Sequence, residues 1–218
     1  MKLKAILFDF DYTLGDGTEE IVISMNYALE NMGYAYQTTE EIRKTIGLNV
    51  EEALEIFEGV TDPIVQKRFV DFFVEKINEI VSTQTKLFPD TENVLKVLKK
   101  KGYKVAIVST KHDNQLEAIV KKFQLEECVD MIIGSNNVPT PKPAPYGIYK
   151  VLEEMNLEKE EILYVGDSIV DAKTAENAGV QFAAVLTGTT KREEHEKYNH
   201  VYIAENLEEI YSYILNRE

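Results

Sequence analysis

Four short stretches of this chain place charged or hydroxyl side chains directly after apolar runs. Asp9-Phe10-Asp11-Tyr12-Thr13 sets two carboxylates two residues apart behind AILF. Carboxylates so placed can serve as nucleophile, as proton donor and acceptor, or as hard ligands for a divalent cation. A strand-end turn with Asp capping a helix explains such a pair equally well when it stands alone. Ser109-Thr110-Lys111 follows VAIV with a hydroxyl pair and a cation; taken singly, a helix N-cap is the simpler account. Lys142 stands among alternating prolines, Pro139-Thr140-Pro141-Lys142-Pro143-Ala144-Pro145. A polyproline linker is the plain alternative, yet the segment lies directly between the strand pattern MIIG and the helical pattern of Ile148, Tyr149, Leu152 and Met155, where rigid flanks would hold the lysine in place. Gly166-Asp167-Ser168-Ile169-Val170-Asp171 follows ILYV. Two carboxylates four apart share one side of the first turn of a helix that begins near Ser168, although capping and the helix dipole also favour acids there. Four strand ends carrying such chemistry together exceed what capping alone explains.

The elements that must position these groups are legible as short apolar runs alternating with helical patterns, which predicts parallel strands joined by crossover helices. Expected strands are Lys4 to Phe8, Lys104 to Val108, Met131 to Ile133, Ile162 to Val165, Phe182 to Val185 and Val201 to Ile203. KVAIV, ILYV and FAAVL do not alternate, as expected for strands covered on both faces. In such open sheets ligands bind outside the carboxyl ends of the strands, where all four stretches fall. Between the first two strands lie about seventy residues without a strand signal, far more than one crossover needs. Ile21, Met25, Ala28, Leu29 and Met32 keep the helical period, and Gly33 supplies a stop. Thr38 with Glu41 and Asn49 with Glu52 have capping-box spacing. Asp62-Pro63 opens a helix with an expected stripe of Val65, Phe69, Phe72, Phe73 and Ile80. The chain therefore divides into a core of residues 1–17 and 84–218 and an inserted helical subdomain of residues 18–83.

With 38 Asp and Glu against 24 Lys and Arg, the formal charge of −14 argues against nucleic acid or an anionic membrane as partner. The hydrophobic fraction of 44% is that of an ordinary globular protein and disfavours disorder. A single cysteine, Cys128, allows no internal disulfide and fits a reducing compartment, hence the cytoplasm. Asp9 and Asp11 interrupt the first apolar run too early for a signal peptide or membrane span. His112, His195 and His200 are expected at the solvated surface, and Cys128 in packing.

DFDYT, VST, PKP and GDSIVD, in this order and at these separations, resemble the four motifs of the haloacid dehalogenase-like (HAD) phosphohydrolase superfamily. Each motif is weakly specific, but the ordered set is strong. The resemblance covers essentially the whole chain, because the insertion falls where the phosphoglycolate phosphatase-like branch carries a helical C1 cap. It implies a Rossmann-like parallel α/β core and a Mg²⁺-dependent phosphatase of small phosphorylated metabolites.

The resemblance also implies roles. Asp9 is the nucleophile and a metal ligand, Asp11 gives its backbone carbonyl to the metal and its carboxyl to proton transfer, and Asp167 adds a carboxylate ligand. Asp171 holds metal-bound waters from behind. Ser109 and the Thr110 backbone bind phosphoryl oxygens, and Lys142 balances charge and orients Asp9. The physical logic is independent of the name: a phosphate monoester is a dianion, so a carboxylate approaches it only when a cation and fixed donors neutralise the charge. Tyr12 departs from the pattern, since the family most often has Gly there, and an aromatic ring is expected to narrow the pocket entrance.

Rival readings can be weighed on particular residues. A receiver-like phosphoacceptor domain also gathers acids, a hydroxyl and a lysine at strand ends, but it pairs adjacent acids after the first strand and has no helical insertion. A haloacid dehalogenase needs neither Asp11 nor Asp167. β-Phosphoglucomutases and phosphonatases typically carry a basic cap residue three positions after a cap glycine; aligning Gly47 places Val50 there. IGLNVEEAL instead resembles the cap of phosphoglycolate phosphatases and related pyrophosphatases. Arg43 and Lys44 are candidate substrate contacts, with a solvated basic helix face as the alternative. The leaving group and the oligomeric state are not written in the motifs.

Overall fold

A computed structural model describes residues 2–217. It contains a six-stranded, all-parallel sheet in the order β5-β4-β1-β6-β7-β8. The strands are β1 (Ala5–Phe8), β4 (Lys104–Val108), β5 (Met131–Ile133), β6 (Ile162–Gly166), β7 (Gln181–Val185) and β8 (Tyr202–Ala204). Two short strands, β2 (Gly15–Asp16) and β3 (Lys86–Leu87), form a separate two-stranded ribbon. The long runs are buried residue after residue, AILF throughout and KVAIV after its first position, because helices cover both faces of the sheet. The crossover helices are α5 (Thr91–Lys100), α6 (Asp113–Lys122), α7 (Tyr146–Met155) and α8 (Ile169–Ala178), followed by α9 (Arg192–His195) and α10 (Leu207–Leu215).

Strand order is what assembles the site. β1 pairs with β4 at Phe8↔Ile107 and with β6 at Phe8↔Val165, so the residues after β4, β1 and β6 emerge side by side at one sheet edge. The chain adds β4 and β5 on one side of β1 and then returns to place β6 on the other, making the β1/β6 boundary the topological switch point.

The chain divides into two compact units: Gly17–Lys86, and the residues up to Asp16 together with those from Leu87 onward. The first unit holds α1 (Thr18–Met32), α2 (Thr39–Arg43), α3 (Val50–Glu58) and α4 (Pro63–Gln84). α1 ends at Gly33 with φ +79°, a left-handed stop that glycine adopts without strain. Thr38 and Glu41 form a capping box on α2. Asp62 Oδ1 accepts from the backbone N–H groups of Ile64 and Val65 at 2.8 and 3.2 Å, with Pro63 in the first turn of α4. The α4 stripe differs in detail from the expected one. Phe69, Phe73, Ile77 and Val81 are buried, whereas Val65, Phe72 and Ile80 are half-buried, because a strict four-residue spacing tracks the inner face over three turns.

Candidate active site

β1 delivers Asp9 directly: the Asp9 N–H still donates to the Val165 carbonyl at 2.9 Å, and the chain then turns. The Phe10 carbonyl accepts from the N–H groups of Thr13, Leu14 and Gly15, which winds the loop tightly. Tyr12 takes φ +60°, a left-handed conformation that costs a non-glycine residue about 1–2 kcal/mol. That is the physical reason glycine suits this position. Tyr12 itself is only 3% exposed.

Lys142 is the hub of the site. Its Nζ stands 2.6 Å from Asp171 Oδ1 and 2.8 Å from Asp9 Oδ1, and donates to the Tyr164 hydroxyl at 3.1 Å. The Tyr164 hydroxyl in turn lies 2.8 Å from Asp171 Oδ1 and 3.0 Å from the Val108 carbonyl. Burial opposes the charge on Lys142, but the Asp171 and Asp9 carboxylates outweigh it and hold the ammonium above the ordinary lysine range. The proline-flanked lysine therefore belongs to the site and not to a free linker.

Asp171 satisfies both explanations offered by its sequence context. Its Oδ2 accepts from the Ser168 N–H at 3.0 Å and hydroxyl at 2.6 Å, completing a capping box on α8, while Oδ1 faces Lys142. Burial works against its charge, yet Lys142, Ser168 and Tyr164 together bring its carboxyl below the usual range. A Cβ on Gly166 would overlap this carboxylate, so β6 can end there only on glycine.

Asp11 has a different partner. Its Oδ2 is 3.3 Å from Lys111 Nζ, and both residues are buried. Ser109, buried at the end of β4, accepts from the Lys111 N–H at 3.3 Å, while Thr110 is half-buried. Asp167 accepts from Thr13 Oγ1 at 3.3 Å.

Asp9, Asp167 and Asp171 offer carboxylate oxygens within 4.8 Å of one another. The four buried aspartates face two buried lysines, an excess of two negative charges if all ionise. The strain is visible in the protonation behaviour. Burial pushes Asp9 up to about 6 against the pull of Lys142, and burial with the Asp171 and Asp9 charges drives Asp167 well above the carboxylate range. Asp11 Oδ1 is buried without a hydrogen bond, and Asp9 Oδ1 has only its ion pair with Lys142. A hard divalent cation on Asp9 and Asp167 fits this donor set, since Asp171 already has both oxygens engaged.

Every residue singled out in the four motifs lies in the core unit, and Asp9, Asp11, Ser109, Lys142, Asp167 and Asp171 are all buried. Arg43 and Lys44 belong to the other unit, where both are exposed and Lys44 is 3.7 Å from Glu40. Four residues escaped sequence reasoning. Lys111 was visible as a cation beside the hydroxyl pair. Tyr164 had a weaker signal, a hydroxyl inside a doubly covered strand that must find a partner. Gly188 and His195 had none. His195 corrects an expectation outright: it is fully buried, with Nε2 3.0 Å from the Asp167 carbonyl. His112, half-buried, precedes α6, and Cys128 is buried as expected.

Such a sheet, with carboxylates at its switch point and a helical insertion after the first strand, defines an α/β class recognisable by comparison. Residues 6–185 match the family model of haloacid dehalogenase-like hydrolases, and the chain belongs to that family. It is 31% identical to a phosphoglycolate phosphatase of Aquifex aeolicus, over 87% of each chain. It is also 27% identical to the pyrophosphatase PpaX of Bacillus mycoides, over 96% of each. Among solved structures, a haloacid dehalogenase-like hydrolase from Bacteroides fragilis superposes with a TM-score of 0.93 at 36% identity, covering 96% of this chain and all of the other. The chain is thus a hydrolase of the HAD family whose relatives are phosphatases.

Proposed function

We propose that this enzyme is a Mg²⁺-dependent phosphatase of small phosphorylated metabolites that works through an aspartyl-phosphate on Asp9. The observation that carries the reading is that Asp9 and Asp11, two residues apart, have separate cationic partners, Lys142 and Lys111. Separate environments let two carboxylates take different parts in one reaction.

In the first step an Asp9 oxygen bonds to phosphorus and the P–O bond to the leaving group breaks. The Asp11 carboxyl gives its proton to the departing alkoxide. In the second step Asp11, now a carboxylate, takes a proton from water as that water's oxygen attacks phosphorus, and the acyl-phosphate bond breaks to return Asp9 and inorganic phosphate. Ser109, with the Thr110 backbone, donates to the phosphoryl oxygens. Lys142 balances their charge and orients Asp9, while Asp171 keeps Lys142 in place. Asp9, the Asp11 carbonyl and Asp167 would hold Mg²⁺, which when bound supplies positive charge against the phosphoryl oxygens.

We assign residues Gly17–Lys86 the role of a C1 cap that selects compact substrates. The two named relatives point to phosphoglycolate first and to pyrophosphate second. Val50 at the start of α3 lacks the basic group of the mutase pattern, so hydrolysis is favoured over transfer between sugar hydroxyls. Among the described residues no helix is long and apolar enough to cross a membrane, and an unpaired Cys128 suits the cytoplasm. The test is phosphate release, with and without Mg²⁺, from phosphoglycolate, pyrophosphate, sugar phosphates, nucleotides and a phosphopeptide. Turnover of compact phosphates that EDTA removes and Mg²⁺ restores is expected. Metal-independent turnover, or a preference for the phosphopeptide, would overturn the reading.

A further inference from the structure

The segment that follows β7 touches Asp167 on both its main chain and its side chain. His195, at the end of α9, lies 28 positions from Asp167, yet its Nε2 is 3.0 Å from the Asp167 carbonyl oxygen. A carbonyl oxygen only accepts, so Nε2 carries the hydrogen and the ring is fixed in one tautomer. Nδ1 is buried without a partner; a charged ring would leave an N–H donor there with nowhere to go. The ring packs 6.2 Å from that of Phe182. A leucine would fill the same space without a stranded Nδ1, so what histidine adds is the hydrogen bond to Asp167.

Two neighbours in the same segment reinforce this. A Cβ on Gly188 would fall onto the Asp167 carboxyl, so glycine leaves room for that side chain in its observed orientation. Thr187 Oγ1 donates to the Tyr12 carbonyl, tying the segment to the loop that carries Asp9 and Asp11. Asp167 is therefore held from one side by Thr13, at its peptide by His195, and along its carboxyl by Gly188.

We infer that His195 is a positioning residue for the cation site, its Nε2–H fixing the Asp167 peptide so that, beside Gly188, the carboxylate is presented to a divalent cation in one orientation. The inference rests on the Mg²⁺ dependence proposed above. Groups that orient a metal ligand typically change metal affinity about 10- to 100-fold when removed.

The test is Mg²⁺ titration of the purified full chain, read as the rise in Tm without substrate, for wild type, His195→Leu, His195→Gln and Gly188→Ala. We expect the Mg²⁺ midpoint to rise about tenfold or more in His195→Leu. His195→Gln, whose amide nitrogen reaches close to where Nε2 stood, should recover most of it. Gly188→Ala should weaken Mg²⁺ binding without touching His195, which keeps the test open should the leucine variant fail to fold. At saturating Mg²⁺ the substrate KM should move less than the Mg²⁺ midpoint. A His195→Leu protein with lowered metal-free Tm but an unchanged Mg²⁺ midpoint, or a Gly188→Ala protein indistinguishable from wild type, would overturn the inference while leaving Mg²⁺ dependence intact. A wild-type protein whose Tm ignores Mg²⁺ would remove the metal reading itself, and this inference with it.

Discussion

Lys67 and Asp71 form an i,i+4 ion pair on α4 at 3.0 Å, with side chains 75% and 63% exposed. Lys142 meets Asp9 and Asp171 at similar distances in the core unit, where none of the three is more than 5% exposed. The chemistry of the pairs is the same and the surroundings are opposite. In water, such a pair gains little because solvent screens both charges. In the interior, each charge loses its hydration, and an apolar replacement of the whole group would often be as stable or more so. Gly17–Lys86 buries Glu20, Ser24, Thr45 and Thr85 but no lysine or arginine among its described residues, whereas the core unit buries four aspartates and two lysines at one sheet edge. Fold stability does not account for that concentration; the proposed reaction at a dianion does.

The largest effect that would break this contrast is catalytic. Asp9→Asn removes the proposed nucleophile and one candidate cation ligand together, and turnover should fall about a thousandfold or more. Steady-state phosphate release measures it, and retained turnover would mean that the buried carboxylates serve another end. Lys142→Met should follow closely. It leaves Asp9 and Asp171 facing each other without their shared cation, which typically costs about 3–5 kcal/mol when one partner of a buried pair is removed. Denaturant unfolding should show that loss and phosphate release a strong fall in kcat; a stable, fully active variant would refute the hub role.

How far these residues could be read from the sequence follows from the same physics. Strand ends were legible because parallel strands covered on both faces are continuous apolar runs, so the first polar residue after each run marks the edge where ligands bind. Thus the expected β4 and β5 match the observed bounds, and Asp9, Ser109 and Asp167 stand where the runs stop. The approach of Lys142 to Asp9, 133 positions away, is implied by the motif resemblance and by no local pattern, whereas its pairing with Asp171 comes from the structure alone. The burial of His195 is not legible in sequence because a lone histidine in a polar stretch, KREEHEKY, has no periodicity to announce it; only the tertiary contact with Asp167 does. The α4 stripe is legible in Phe69 and Phe73 but not in full, because Phe69, Phe72 and Phe73 look alike in sequence while helix rotation decides which of them faces inward.

A smaller effect sharpens the contrast by reversing its usual direction. Asp167 and Asp9 have carboxyls raised by burial above their unfolded values, so ionisation of either opposes folding of the metal-free protein. That destabilisation is fully present above the folded pKa and fades as pH falls through it toward the unfolded value. Metal-free wild type should therefore gain stability on acidification from neutral pH through about 6, until the lowered Asp171 carboxyl protonates and reverses the trend. Asp167→Asn should raise metal-free stability at neutral pH by on the order of 1–2 kcal/mol, a gain that shrinks as pH is lowered, and should abolish the Mg²⁺-induced rise in Tm. Unfolding curves at several pH values in EDTA decide it; a less stable Asn variant at neutral pH would mean that Asp167 is satisfied by the protein alone.

The smallest effects belong to the helical unit and set the scale for all the others. Lys67→Ala removes an exposed pair on a helix and should change stability by no more than about 0.5 kcal/mol, with no change in kcat. Asp62→Ala is a stricter control because its carboxylate caps α4 through two backbone N–H groups, and it should cost about 1 kcal/mol. The two charges lie close in sequence, one pairing with another side chain and the other accepting from backbone N–H groups, so their ranking sets the satisfaction of orphan donors against simple charge pairing. Urea unfolding of both variants measures it. If Lys67→Ala proved as costly as Asp62→Ala, exposed pairs in this unit would be stronger than screening allows, and the contrast with the buried network would lose its physical basis.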